Sequence, residues 1–270
     1  MKKNKINYSA PALEKGLDIL ELLSKSKNGL TQAEIAKKLK RSVNEIYRML
    51  NILSQRDYIE IDKLNDNYKL TNKLLEISFN QEHLNILIQK SIPVMREVAQ
   101  ICNQSLHLAI YSSGRLLVIA QEDSPSKLNY GIKVGSTFDL LETSSGRVLL
   151  SFQNQEERKR RLLRRKLFIN LNKNYSHSLN ESKKSEKKYT TQTIHEILKK
   201  NCEVVQSLQI KGITNISVPI FDFTNNAIAS MTIPFVTRIN YKADLDIKKS
   251  TKILLKYSKQ LSKQLGSSLK

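Results

Sequence analysis

A hydroxyl residue followed three positions later by a glutamate occurs twice near the N-terminus, in Thr31-Gln32-Ala33-Glu34 and in Ser42-Val43-Asn44-Glu45. Each is a capping box: the hydroxyl accepts from an otherwise unpaired backbone N–H of a helix's first turn, and the glutamate reaches back to the cap residue's amide. The second box opens a run whose polar side carries Asn44, Tyr47, Arg48 and Asn51, groups that can pair with base edges and phosphates. Ser42, Asn44 and Tyr47 are the candidates to approach bases, and Arg41, Arg48 and Lys63 the candidates to hold phosphates. Glu45 could accept from a cytosine amino group, but its cap role ties it to its own helix. A helix from Thr31 to Leu39, a turn of only Lys40-Arg41 and a second capped helix predict a DNA-binding helix-turn-helix.

The elements that must hold this surface are legible around it. Leu13, Leu17, Leu20 and Leu23, with Ile19 and Leu22 beside them, recur at helical spacing, and Asn28-Gly29 stops that first helix. The second helix should bury Ile35, Ala36 and Leu39 and expose Gln32, Lys37 and Lys38. The third, from Val43 to about Ser54, should bury a stripe of Val43, Ile46, Leu50 and Leu53. Tyr58-Ile59-Glu60-Ile61 and Tyr68-Lys69-Leu70 flank an Asn/Asp-rich turn and predict a hairpin, a wing with Lys63 near its tip. The boundaries expected are a winged helix-turn-helix over 1–71, a linker helix over 72–89 and a second domain over 90–270.

In that second domain helices and strands alternate. Ile92 to Cys102 reads as an amphipathic helix begun by Ser91 and Pro93. Residues 105–111 and 115–120 form a hairpin around Ser113-Gly114, and Gly131 and Gly135 flank a further short strand. Thr143-Ser144-Ser145-Gly146 reads as a capped helix start, residues 213–221 and 227–233 as two strands, and about Ala243 to Leu265 as a closing helix. The expected class is α+β, with a largely antiparallel central sheet.

Nearly the whole chain resembles the IclR family of bacterial transcription regulators. The resemblance rests on Ala12 to Leu20, on Leu30 to Leu39 followed by Ile46 to Leu53, on Val134-Gly135-Ser136 leading to Thr143-Ser144-Ser145-Gly146-Arg147, on the Thr-rich Tyr189 to Ile194, and on Gly212 to Asp222. It implies a C-terminal GAF-like α/β effector-binding domain that takes a small organic acid or aromatic metabolite, with pocket groups falling on Thr143, Ser144, Asn215 and Thr232. It also implies homodimers or homotetramers on palindromic operator DNA. The sequence departs from the family pattern at Asp57, where a glycine is usual, at Asp139 (usually proline), at Ser207-Leu208 (usually acidic) and at Ile233-Pro234-Phe235.

Composition narrows the remaining classes. The formal charge of +20 over 270 residues favours a polyanionic partner, nucleic acid before membrane. Cys102 and Cys202 have no pairing or CxxC signature and read as buried small hydrophobes of a cytoplasmic protein. His83, His107, His177 and His195 lack metal or triad spacing, and neither a phosphate loop nor Gly-x-Ser-x-Gly occurs, so no enzyme, cofactor or metal is expected. No run is apolar enough to span a bilayer. The most charged stretch, Arg158 to Lys166, leads into an Asn/Ser/Lys-rich segment and reads either as an auxiliary nucleic-acid contact or as a solvated helix face. The alternative to a ligand-responsive regulator is a charge-driven nucleoid or RNA-binding protein without a ligand switch.

Overall fold

The computed structural model describes residues 10–62, 65–127, 129–171, 189–238 and 245–269, and the chain divides into two units, Met1–Leu84 and Asn85–Lys270.

In the first unit, α1 (Pro11–Leu23) starts on a proline, whose missing N–H costs nothing at a helix start. The predicted helix forms, but only its C-terminal half is buried: Ile19 and Leu23 enter the core while Leu13 and Leu17 stay exposed. Helices α2 (Gln32–Leu39) and α3 (Val43–Gln55) each begin with a complete capping box, from Thr31 and Ser42. Lys40 turns the chain between them in the left-handed region at φ 54°, and the Arg41 amide donates back to the Ala36 carbonyl at 3.0 Å. Ile19, Leu23, Ile35, Ala36, Ile46, Leu50 and Ile59 form one core. Val43 was expected in that core and is instead 49 % exposed. It stands at the first helical position, on the helix's exposed first turn, where its backbone carbonyl accepts from Gln32 Nε2 at 3.1 Å.

The wing is β1 (Ile59–Asp62) paired antiparallel with β2 (Asn67–Leu70). Lys63 at its tip lies outside the described residues. A third participant, unsignalled by local residue pattern, joins the wing: Leu30 and Tyr68 exchange both backbone hydrogen bonds, at 3.1 and 2.9 Å. Gly29 makes this approach possible: its φ is +75°, and a Cβ there would sit 2.6 Å from the Tyr68 carbonyl oxygen. Beyond the wing the chain forms α4 (Lys73–Phe79) and then α5 (Glu82–Cys102).

Helix α5 begins ten residues before the predicted Ile92 start and carries Pro93 in its interior. Leu87, Ser91, Val94, Met95, Val98, Ala99 and Cys102 recur on one buried face, and that burial carries the helix through the proline. The second unit's sheet has the order β5-β4-β3-β8-β7-β6 with every pairing antiparallel: β3 (Leu106–Ser112), β4 (Arg115–Glu122), β5 (Thr137–Asp139), β6 (Glu203–Gln206), β7 (Ile213–Phe221) and β8 (Ala227–Val236). The short strand expected between Gly131 and Gly135 forms after them, as β5. Gly135, at φ 86°, donates its amide to the Val118 carbonyl at 2.8 Å, and pairing with β4 follows that turn.

Helix α6 (Ser144–Ser151), capped by Thr143, is buried at every position and packs on β3, β7 and β8. It comes so close to the preceding loop that a Cβ on Gly146 would lie 2.1 Å from the Leu140 carbonyl oxygen. Helices α7 (Gln155–Leu171) and α8 (Thr191–Lys200) follow. The closing helix α9 (Ile247–Gln264) starts at its Asp246 cap, later than expected, and packs on β7, where Ser258 Oγ donates to the Pro219 carbonyl at 2.9 Å.

Candidate functional site

The polar face of α3 is set by what its other face must bury. Ile46 and Leu50 are wholly buried, so at 3.6 residues per turn Asn44, Tyr47, Arg48 and Asn51 fall together on the exposed side. Tyr47 is 51 % exposed. Two residues expected to act with them are already engaged. The Ser42 hydroxyl accepts from the Glu45 amide at 3.3 Å and donates to Glu45 Oε2 at 3.0 Å. Arg41 Nη2 reaches Asp18 Oδ2 at 3.3 Å. Glu45 also takes Lys15 Nζ at 2.6 Å. That lysine contact, with the two bonds from Ser42, holds the exposed carboxyl at about 2. Glu45 is thus a fixed anion that staples α1 to the start of α3.

The second unit contains a small cavity where three elements meet. Thr143 and Ser144 from the start of α6, Asn215 from β7 and Thr232 from β8, the four positions suggested by resemblance, all border it. Sequence reading missed the rest of the lining that matters: Ser145, Ser207, Gln209 and the walls Leu116, Tyr130, Ile132 and Phe138. His107 on β3 also borders it.

Behind the lining runs a buried chain of hydroxyls. Ser144 Oγ lies 2.6 Å from Ser217 Oγ, which lies 2.7 Å from Thr232 Oγ1, which lies 2.7 Å from Ser145 Oγ. Ser145 Oγ is 3.4 Å from His107 Nε2. Burial pushes the His107 imidazole down to about 4, so it is neutral near pH 7, and its Nδ1 has no hydrogen-bond partner. Among the described lining residues none is a lysine, arginine, aspartate or glutamate. What the cavity presents is the N-terminus of α6 with its unpaired amides, hydroxyls, two side-chain amides and aromatic walls, a set that favours an acceptor-bearing or anionic group against a flat apolar one. Its volume is about 20 Å³, room for one water, against roughly 300–1,000 Å³ for a ligand pocket.

Two buried ion pairs hold α6 and the loop that enters it. Arg147 Nε contacts both Glu203 oxygens at 2.8 and 3.0 Å, and its Nη1 donates to the Leu141 carbonyl at 2.8 Å. Burial pushes the Glu203 carboxyl up, and Arg147 opposes that shift. Arg165 of α7, 1 % exposed, contacts Asp139 Oδ1 and Oδ2 at 2.9 and 2.8 Å. The same Oδ1 accepts from the Leu141 and Glu142 amides at 2.8 and 3.3 Å, shaping the loop that enters α6.

The arginine-rich stretch therefore matches neither expectation fully. Arg158 caps the end of α6, donating to the Leu150, Ser151 and Gln153 carbonyls at 2.9, 2.8 and 2.8 Å. Arg161 stacks on Tyr111 with its guanidinium carbon 4.6 Å from the ring centre. With Arg165 these form the inner face of α7, while Lys159, Arg160, Arg164 and Lys166 stay exposed.

Comparison with known proteins agrees with both halves. The model of the IclR helix-turn-helix domain matches residues 12–63, and that of the bacterial transcriptional regulator IclR C-terminal domain matches residues 81–263. The chain is similar to the HTH-type transcriptional regulator KdgR of Escherichia coli, 24 % identical over 236 residues that cover 85 % of this chain and 83 % of that protein. It is also similar to the E. coli transcriptional repressor AllR, 23 % identical over 148 residues, 55 % of each chain. Among solved structures, an IclR homologue from Microbacterium hydrocarbonoxydans complexed with 4-hydroxybenzoate superposes with a TM-score of 0.72 at 14 % identity, covering 94 % of this chain and 98 % of that one. The Thermotoga maritima IclR gives 0.67 at 21 % identity, over 94 % and 98 %. No helix among the described residues is long and apolar enough to cross a membrane, and none of their His, Cys, Asp and Glu side chains cluster as a metal site would require.

Proposed function

The chain belongs to the IclR family of bacterial transcription regulators, and from that premise we propose that it binds operator DNA through α3 and changes its affinity when a small molecule enters the cavity beside α6. Residues 1–71 carry the DNA contact, 72–89 the connection and 90–270 the ligand response. Asn44, Tyr47 and Asn51 read base edges, Arg48 and the wing's Lys63 hold phosphates, and Arg41 adds a phosphate contact when it exchanges Asp18 for DNA. Ser42 contributes by fixing the entry of α3 rather than by direct readout, because its hydroxyl is spent on the cap. The protein acts in the cytoplasm as a homodimer or homotetramer on palindromic sites, as a repressor, and catalyses no reaction.

The observation that carries this reading is the exposed Asn44–Tyr47–Arg48–Asn51 face on a helix locked at its start by a complete capping box. For the effector we infer an organic acid or an aromatic metabolite held by Thr143, Ser144, Asn215 and Thr232. Supporting it are the α6 N-terminus, the aromatic walls, and the 4-hydroxybenzoate bound by the Microbacterium homologue. Entry requires the walls to part, and that displacement is the means by which ligand and DNA affinity are coupled.

The test is competition binding of the full chain to DNA upstream of its own gene, with excess nonspecific DNA and a salt series. Protection of one palindromic segment that survives competitor supports the reading. Uniform binding that disappears with modest salt would replace it with charge-driven association.

A further inference from the structure

Helix α7 has an outward face that its inward arginines do not explain. Leu163, Leu167 and Leu171 recur four residues apart and are 60, 43 and 78 % exposed. At helical spacing they form a single ridge headed by Lys159, with Lys166 along one flank and Arg160 and Arg164 along the other, all exposed. Scattered exposed leucines are ordinary, but a continuous ridge marks a contact surface. The opposite side is pinned to the sheet domain by Arg158, Arg161 and Arg165, so the ridge is held outward on a rigid support.

We propose that this ridge docks an acidic amphipathic helix of a partner protein, the leucines forming the seam and the flanking cations pairing with the partner's carboxylates. The narrow seam decides the kind of partner. A single i±4 row of leucines bordered on both sides by charge is a ridge that fits the groove of one facing helix, with the flanking charges choosing the partner. A lipid-facing helix buries a broad apolar face, and here the side opposite the narrow ridge is held to the domain by Arg158, Arg161 and Arg165. A second copy of this chain would set four cations against four cations, with Glu156 as the lone acid on the outer face among the described residues. The segment that follows, 172–188, carries Lys173, Lys183, Lys184, Lys187 and Lys188 against Glu181 and Glu186, again the wrong sign. Nucleic acid would satisfy the cations and leave the leucines in water.

The experiment is fluorescence anisotropy of the full chain with a labelled model helix about three heptads long, leucine at the seam positions and glutamate on the flanks. Its mirror with lysine flanks is the control. Saturable binding is expected for the acidic helix alone. It should weaken by roughly tenfold in Leu163→Glu/Leu167→Glu and in the milder Leu163→Ser/Leu171→Ser, and fall again at high salt. Both variants should retain wild-type thermal unfolding, because the altered side chains are exposed. The proposal is overturned if the acidic helix does not bind, if the lysine helix binds equally, or if neither leucine variant weakens binding. It is also overturned if the variants change the sedimentation mass, which would make the ridge a contact between copies. Ridge-dependent binding to phosphatidylglycerol vesicles without peptide binding would assign it to lipid instead.

Discussion

Replacing Arg165 with methionine should cost this protein more stability than any other single change in the arginine-rich helix. The guanidinium is 1 % exposed and its Nε contacts both oxygens of Asp139, itself 11 % exposed. Methionine fills similar space but leaves the carboxylate buried without its counter-charge, a loss of about 3–5 kcal/mol for a broken buried pair. In a unit the size of Asn85–Lys270, each kcal/mol moves the melting temperature by about 2–4 °C, so the transition should fall by roughly 6–20 °C. The informative variant is the double one. Asp139→Asn keeps an oxygen for the Leu141 and Glu142 amides while removing the charge, so Arg165→Met/Asp139→Asn should recover most of the loss. Asp139→Asn alone, which strands the arginine, should not. Thermal and denaturant unfolding of the full chain reads all four proteins, with DNA binding as a check on the first unit. A single mutant within about 1 kcal/mol of wild type, or a double mutant no better than the single, would refute the reasoning.

Arg48→Ala should weaken DNA binding for every sequence and reduce the salt slope by about 1, whereas Asn51→Ala should relax discrimination at one base pair by about 1–3 kcal/mol; a salt series on operator and scrambled DNA separates the two. Ser42→Ala should cost about 1 kcal/mol through the lost cap, measured by denaturant unfolding of the first unit. Glu45 is ionised in the fold down to about 2, so whatever stability it adds is complete above its ordinary value of 4.5 and disappears as pH falls through 2; Glu45→Gln should abolish that acid-range loss in an acid-unfolding titration. His107 has the opposite sign: the unfolded imidazole takes its proton near 6.5 and the folded one only near 4, so stability should decline by about 3 kcal/mol as pH falls from 6.5 to 4. His107→Gln should flatten that slope in urea unfolding followed across the range, and an unchanged slope would place the titration elsewhere.

What could be read from the sequence was whatever is decided locally. A capping box joins side chain and backbone across three residues, so Thr31-Glu34 and Ser42-Glu45 announced themselves, as did the wing's turn. Long-range packing was not legible. The helix carrying Pro93 begins far earlier than proline grammar suggests, because a buried face extending back to Leu87 outweighs one missing hydrogen bond. The hydroxyl chain needs residues from α6, β7, β8 and β3, and serine or threonine at any one position is unremarked until the sheet assembles. The arginines at 158, 161 and 165 recur at the helical period of a buried face, but a run of like charges hides that period, since charge is read as exposure. Asp57, where the family has glycine, does sit at φ 60°, the conformation glycine would occupy without strain.

The unpaired Nδ1 of His107 also fixes a direction. A buried N–H with no acceptor costs more than a buried lone pair with no donor, so the single proton of the neutral ring belongs on Nε2, facing Ser145. Each hydroxyl has one proton to give, so Ser145 then donates to Thr232, Thr232 to Ser217 and Ser217 to Ser144. Ser144 ends the line with its own proton still unassigned, at the cavity wall. The imidazole thereby also sets the polarity of Ser144, which it reaches through Ser145, Thr232 and Ser217: it makes that end of the cavity's hydroxyl edge a donor, matched to a carbonyl or carboxylate oxygen and mismatched to an incoming N–H.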